Sequence, residues 1–501
     1  MLLIHPPVAK PSEPPAGLAR LLFALKASGV PCRVWDANLD SILYLLGKPV
    51  AANDTWTRRA AANTSKNLSA MRSFDIYKTL DRYKRAVMDI NRVVQMAGKA
   101  TGSHITLSNY TDPEFSPVRS RDLLQAAAGF EQNPFFPFYE KRLTALMEAE
   151  TPHVVGFSVN FMSQAVCAFA MAGFVKKHWP EIRVIMGGGL VTSWLHIKGI
   201  VNPFKPVVDE LICGPGEAAL LALAGHGPAA ADQAGFDYSD FPLDSYLSPG
   251  RVLPYATSRG CYWQKCRFCP ETFENSRYQV FDKAEIRRNL EWLCRETRPA
   301  FIHFVDNALS PAFLKFLVKN PPGVPWYGFV RMTEHLADPA FVAGLKDAGC
   351  VMLKLGIESG DQAVLDALNK GITVETVSRA LKTIKAAGIA VYGYLLFGTP
   401  AETYESANRT SDFIQVHADC IDFLNLAIFN LPAGSPEADT LRTVDFYPGD
   451  LSLYRHFAHP AGWGRNRVRQ FLEKEFKRPE PIRAILNNDP PFFTSNHAAF
   501  F

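Results

Sequence analysis

Apolar residues recur along this chain in two forms, short solid runs and longer stretches at helical spacing. Leu2-Leu3-Ile4 is a solid run that stops at Pro6-Pro7 and predicts a buried parallel strand. The stretch 17–28, GLARLLFALKAS, spaces its leucines as a helix does and ends at Gly29, a helix stop. Cys32-Arg33-Val34-Trp35 predicts a second strand, so the chain opens as strand, helix, strand. The rhythm breaks from about residue 47 to 148, where scattered aromatics, Asn, Ser and charge predict a helical insertion with helices near 76–94 and 140–149. It resumes at Val154-Val155-Gly156-Phe157-Ser158-Val159. A helix over 165–178 follows, then the strand Arg183-Val184-Ile185-Met186 running into Gly187-Gly188-Gly189. Asp209-Glu210-Leu211-Ile212 is a fifth strand, before Cys213-Gly214-Pro215-Gly216-Glu217. The expected fold class is α/β, beginning with a doubly wound, Rossmann-like domain over residues 1–235 that carries an insertion at about 48–148. Such sheets bind ligands at the carboxyl ends of their strands.

A second α/β series follows the turn-rich Phe236-Asp237-Tyr238-Ser239-Asp240-Phe241-Pro242. Strands are predicted at 255–258, 301–305, 326–331, 351–357, 389–397 and 421–429, with helices at 283–295, 311–318, 338–348 and 374–387. These units read as a partial (β/α)6 barrel of TIM type over 236–430, with its chemistry at the carboxyl ends of the strands. Residues 431–501 form a small, mostly helical extension with short helices at 454–459 and 468–476. Its last stretch, 490–501, is unusually apolar for a terminus; it suits a lid over the site or a plug on the barrel base.

Size and composition narrow the picture. A chain of 501 residues is long enough for two or three domains, and 48% apolar with 20% charged residues is ordinary for a soluble globular protein. A net charge of +4 makes no case for nucleic acid. Nine cysteines in this length do not make a disulfide scaffold. The start lacks a basic n-region, and no apolar run reaches about 18 residues. The expectation is a cytoplasmic, thiol-reduced protein without a membrane span.

Three cysteines change the reading most. Cys261, Cys266 and Cys269 fall within nine residues, spaced C-x4-C-x2-C, in Ser258-Arg259-Gly260-Cys261-Tyr262-Trp263-Gln264-Lys265-Cys266-Arg267-Phe268-Cys269-Pro270. Thiolates are the usual protein ligands of iron–sulfur clusters, and short spacings let one loop wrap one cluster. A four-iron cluster held by three thiolates leaves one iron open. A zinc site completed by a histidine such as His303 is the alternative these residues allow.

The loop, with Phe268 just before the last cysteine, resembles the radical S-adenosylmethionine (SAM) superfamily, whose usual spacing is one residue shorter, C-x3-C-x2-C. Gly356-Ile357-Glu358-Ser359-Gly360, with Val364-Leu365 and Asn369-Lys370-Gly371, resembles that family's fourth-strand signature. Leu396-Phe397-Gly398-Thr399-Pro400-Ala401-Glu402-Thr403 resembles its fifth. The resemblance implies that Cys261, Cys266 and Cys269 hold a [4Fe-4S] cluster whose open iron chelates SAM, and that an electron from the cluster cleaves SAM to a 5′-deoxyadenosyl radical. It implies that SAM lies against Phe268, Asp306, Asn307, Arg331, Glu358 and Gly398. Read without it, Glu358 is also a strand-end cap, Arg331 a structural ion pair, and Asp306 and Asn307 good helix caps.

In the first domain the Pro-Pro loop, the strand ending Phe-Ser-Val, the Gly-Gly-Gly turn and the Gly-x-Gly-Glu turn together resemble the cobalamin-binding domain that precedes many radical SAM modules. The resemblance implies cobalamin against Ser158, Val159, Gly188, Gly189, Gly214 and Glu217. The Asp-x-His-x-x-Gly motif is absent, so no protein histidine is expected beneath cobalt. The implied function is a cobalamin-dependent radical SAM enzyme that moves a methyl group from SAM, through methylcobalamin, to an unreactive carbon or phosphorus centre of a small-molecule or peptide substrate. An external flavodoxin- or ferredoxin-type electron donor goes with it. The rivals are a radical rearrangement, cyclisation or carbon–carbon coupling without methyl transfer, and a non-enzymatic zinc-stabilised or cofactor-sensing binding protein. No motif designates a catalytic residue.

Overall fold

The solid apolar runs become the strands of two parallel sheets. This is a computed structural model, and it describes residues 1–51, 53–99, 101–199, 201–227, 234–274, 276–491 and 494–501. The chain divides into two units. One comprises Met1–Pro254, Tyr447–Leu453 and Pro490–Ala499; the other comprises Tyr255–Phe446, Tyr454–Asp489 and Phe500–Phe501.

In the first unit, β1 (Leu2–Ile4), β2 (Arg33–Trp35), β3 (Val154–Ser158), β4 (Arg183–Gly187) and β5 (Glu210–Leu211) form one sheet in the order β2-β1-β3-β4-β5. Every pairing is parallel. Leu2, Ile4, Val155 and Val184 are fully buried, as expected of strands covered on both faces. The insertion is mostly helical, as expected, with one short antiparallel pair, His104–Ile105 with Tyr110–Thr111. Its longest helix, Leu80–Lys99, buries Tyr83, Val87, Ile90 and Val94 on one stripe, against which Thr55–Ala62 and Thr64–Met71 pack. Helix Ser120–Ala128 crosses Met162–His178 so closely that a Cβ on Gly173 would lie 2.6 Å from the Ala127 carbonyl carbon. Glycine is required there by contact, not by conformation. The turn-rich stretch after residue 235 is fastened to this unit: Asp237 N–H donates to Ala19 O at 3.0 Å, and the Tyr246 hydroxyl donates to Asp36 Oδ2 at 2.6 Å.

The second sheet has six strands: β6 (Val252–Tyr255), β7 (Phe301–Leu309), β8 (Trp326–Val330), β9 (Cys350–Glu358), β10 (Ala390–Phe397) and β11 (Phe423–Ile428). They run side by side in sequence order, and β7 to β11 pair in parallel, giving the partial (β/α)6 barrel. Alternation sorts their side chains. Leu353, Leu355 and Ile357 of β9 are fully buried on one face. Lys354 and Gly356 point to the other, in register with Phe329 of β8 and with Tyr392 and Tyr394 of β10.

The extension departs from its predicted helices in one place. Tyr454–Phe457 is a strand, paired antiparallel with both Leu431–Pro432 and Thr443–Asp445. A short aromatic segment is read as helix or strand only once a partner ladder is present. Arg465–Phe471 is helical and continues into a π-turn at Leu472–Phe476. Phe501 packs on Phe423 with ring centroids 5.6 Å apart. Phe423 begins β11, so the final residue lies at the amino end of the sheet. Phe492 and Phe493 lie outside the described residues.

Candidate active site

Entry to the cysteine loop is set by a two-residue ladder of Ser258–Arg259 with Gln279–Val280, and by Asp306 on β7. Asp306 is buried, and its carboxylate accepts from Thr257 N–H at 2.9 and 3.1 Å, from Thr257 Oγ1 at 2.8 Å and from Ser258 Oγ at 2.6 Å. Burial raises its pKa, while these donors oppose the shift. Asp306 and Asn307 therefore do not start a helix. Both lie inside β7, and the helix that follows is capped by Ser310, whose Oγ accepts from Phe313 N–H at 3.2 Å. Asp306 positions the strand that feeds the loop, and Asn307 is exposed.

The loop itself is docked on the turn 368–371. Arg267 N–H donates to Leu368 O at 3.1 Å, and Trp263 Nε1–H to Asn369 O at 3.1 Å. A Cβ on Gly371, which has φ +63°, would lie 2.7 Å from Trp263 Cη2 and closer still to Cζ2, so the Asn-Lys-Gly turn must end in glycine for the indole to seat. The residue beyond the usual spacing is absorbed at Gln264, which adopts φ +50° and donates its amide to Ser276 O. Trp263 is thereby turned onto Arg331, whose guanidinium carbon sits 3.7 Å from the ring centroid.

Two buried charges meet beside this loop. Lys370 Nζ donates to Glu358 Oε1 at 2.6 Å, and the same ammonium lies 5.6 Å from the Phe268 ring centroid. Glu358 ends β9 with φ +62°. A Cβ on Gly356 would lie 2.7 Å from Lys370 Nζ, which explains the glycine of the fourth-strand signature as room for an ion pair. Arg331, just past β8, is 8% exposed, yet its Nε and Nη2 reach no hydrogen-bond acceptor. Burial lowers its pKa, and Tyr262, Cys266 and Cys261 oppose that shift.

The thiols share this neighbourhood. Burial pushes Cys269 up to about 12, and the nearby Cys266 and Cys261 add to the rise. Burial also raises Cys266, with Lys370 and Arg331 pulling it back. Among the described residues no three His, Cys, Asp or Glu side chains stand close enough to hold one metal ion. Gathering the three thiols on a metal centre requires the loop to tighten. His303 is not beside them. Its Nε2 is 2.8 Å from Lys354 Nζ, and its ring stacks on Tyr327 at 4.5 Å.

Gly398 follows β10 at φ +77° and donates its N–H to Glu402 Oε2, which also accepts from Trp463 Nε1 at 2.8 Å. His459 Nε2–H donates to Thr399 O at 2.8 Å. Burial drives Glu402 up to about 7 against the opposing Gly398 and Trp463 bonds. Composition offered no hint of Trp463 or His459, which act on this turn from some 60 residues away.

In the first unit the structure brings Ser158, Val159, Gly188 and Gly189 together at the carboxyl ends of β3 and β4. Val159 N–H donates to Gly187 O at 2.8 Å, and Gly189 N–H to Asn160 Oδ1 at 3.0 Å. Gly188 has φ +104°, and its Cβ position lies 2.5 Å from Val159 O. Asn160, absent from the predicted set, organises this turn; an Asn between a strand and a helix was the available signal. Gly214, beyond β5, donates its N–H to Thr192 Oγ1 at 3.0 Å. Glu217 is turned inward, buried against Arg20.

Residues 255–414, which include the cysteine loop and strands β7 to β10, match the Radical SAM superfamily. In fold the chain is similar to solved radical SAM enzymes. It superposes on TsrM from Kitasatospora setae, solved with tryptophan and a SAM analogue, with a TM-score of 0.57, 15% identity, and coverage of 98% of this chain and 89% of that one. For TsrM with cobalamin and a [4Fe-4S] cluster the values are 0.52, 17%, 94% and 84%. In sequence it is similar to the anaerobic magnesium-protoporphyrin IX monomethyl ester cyclase of Rubrivivax gelatinosus, at 28% identity over 40% of this chain and 41% of that protein. It is also similar to the bacteriochlorophyllide d C-8(2)-methyltransferase of Chlorobaculum tepidum, at 26% identity over 50% and 60%. The chain thus spans less than two thirds of either relative.

Proposed function

We propose that this chain is a cobalamin-dependent radical SAM enzyme that transfers a methyl group from SAM, by way of cobalamin, to an unreactive carbon or phosphorus centre. The observation that carries the reading is the loop 261–269, seated on the 368–371 turn beside a buried Arg331 with two unused donors. Three thiols suit a [4Fe-4S] cluster with one open iron. A guanidinium with free N–H groups suits a carboxylate such as that of SAM. When bound, the cluster supplies an electron and SAM a radical or a methyl group, with cobalamin as methyl carrier.

The residues have distinct tasks in this reading. Cys261, Cys266 and Cys269 are the metal ligands. Phe268, Asn307, Arg331, Glu358 and the Gly398 backbone orient SAM, and Asp306 acts one step back by holding Thr257 and Ser258. Ser158, Val159, Gly188, Gly189 and Gly214 line the cobalamin face, where glycines let backbone approach a large planar ligand. Glu217 is held by Arg20 behind that face. Reductive cleavage of SAM needs an external donor of flavodoxin or ferredoxin type, and an oxygen-sensitive cluster fits a cytoplasmic setting. Among the described residues no helix is long and apolar enough to cross a membrane.

Ring closure is the second reading, favoured by the similarity to a cyclase. The zinc-binding alternative loses its histidine, since His303 is engaged by Lys354. Anaerobic reconstitution with iron and sulfide tests the proposal. The expected product holds about four irons per chain and consumes SAM when reduced. Alanine at Cys261, Cys266 or Cys269 should abolish cluster absorbance, and Cys294→Ala should keep it. A parent protein that takes up one zinc and no iron would end this reading.

A further inference from the structure

The helical insertion holds a cavity of about 410 Å³, a size ordinary for small-molecule sites, between helices Thr55–Ala62, Thr64–Met71 and Leu80–Lys99. Four cationic side chains line it, Arg59, Lys66, Arg82 and Arg85, against two carboxylates, Asp75 and Asp89. Both carboxylates are already engaged. Asp89 Oδ1 accepts from Trp56 Nε1 at 2.9 Å and from Arg59 Nη2 at 3.0 Å, and Asp75 Oδ1 accepts from Lys78 Nζ at 2.8 Å. Lys66, Arg82 and Arg85 have no acceptor among the described residues, and the buried Nδ2 of Asn67 has none either.

Placement is systematic. Arg82 and Arg85 lie three apart on the face of the long helix that also presents Asp89, and Lys66 and Asn67 face the same cavity from Thr64–Met71. Lys66, Arg82 and Arg85 are exposed at the rim, so water solvates them, but with both carboxylates engaged the hollow keeps a local excess of positive charge and a buried amide N–H to spare, which favours an anion. Arginine forks match carboxylate and phosphate oxygens. One phosphate would leave most of the cavity unfilled, and the donors stand on two opposed helices. We infer that this insertion binds a small organic anion bearing two or more phosphate or carboxylate groups, at a site separate from the one proposed for SAM and cobalamin.

Calorimetric titration of the full chain tests it, with pyrophosphate, citrate, inorganic phosphate and a short single-stranded oligonucleotide as probes. Saturable 1:1 binding of pyrophosphate or citrate, tighter than phosphate, is expected; which of the two binds more tightly identifies the anion class. Arg82→Glu/Arg85→Glu and, separately, Lys66→Glu should each weaken binding by about tenfold or more, while Arg58→Glu, on the same insertion but outside the cavity, leaves it unchanged. Lys66→Glu, on the opposite helix, decides the matter if the double variant does not fold. The inference is overturned if neither pyrophosphate nor citrate saturates, if Arg58→Glu is as damaging as Lys66→Glu, or if only the oligonucleotide binds. None of these readouts requires a cluster or a turnover, so they stand or fall apart from the proposed enzyme activity.

Discussion

Lys370→Met removes the positive half of the buried pair beside the cysteine loop. The two side chains are 8% and 10% exposed, and the ammonium is 2.6 Å from Glu358 Oε1. Methionine keeps most of the volume, so the change is chiefly electrostatic. It leaves the Glu358 carboxylate buried without its counter-charge, at a residue whose φ of +62° already costs about 1 kcal/mol. Removing one member of a buried pair costs about 3–5 kcal/mol. For a folding unit of this size each kcal/mol lowers the melting temperature by roughly 2–4 °C, so a fall on the order of 10 °C is expected. The assay is thermal unfolding followed by circular dichroism for the parent, Lys370→Met, Glu358→Gln and the double variant. Because the double variant contains no unpaired buried charge, it should regain at least about half of the loss. If Lys370→Met melts within about 2 °C of the parent, or the double variant is no more stable than Lys370→Met, the pair does not hold the site as argued.

Other expectations follow from single contacts. Glu402 is raised from its ordinary 4.5 to about 7, so the folded chain keeps a proton that the unfolded chain releases in that interval. This group's contribution is therefore full below pH 4.5 and is lost as pH rises to about 7, by up to about 3 kcal/mol; Glu402→Gln should flatten that part of the stability–pH curve, and coincident curves for parent and variant would contradict the assignment. Gly188→Ala forces a side chain into φ +104° and against Val159 O, and should cost the first unit about 2–4 kcal/mol in denaturant unfolding. Deleting Gln264 removes the left-handed residue of the loop and its bond to Ser276 O, and should still permit cluster assembly on anaerobic reconstitution. A deletion variant with no cluster absorbance would mean that the longer loop is a requirement of the site.

By itself the sequence determined most strands of both sheets, because a strand covered on both faces must be apolar throughout and is therefore visible as a short solid run; the first strand of the second sheet, expected at 255–258, lies instead at Val252–Tyr255, and Ser258–Arg259 pairs separately with Gln279–Val280. The cysteine loop and the glycine-rich turns were legible for a related reason: their residues lie a few positions apart. Only the tertiary structure decided which polar groups meet. Asp306 reads as a helix cap until β7 brings it to Thr257 and Ser258, 49 and 48 residues earlier. His303 reads as a metal ligand until Lys354, 51 residues away, claims it. Tyr454–Phe457 reads as helix until Thr443–Asp445 offers a ladder. Burial makes each such group bond to whatever partner the fold supplies, since an unpaired polar group away from water is costly. That partner is set by the packing of distant segments, which no local pattern of residues encodes.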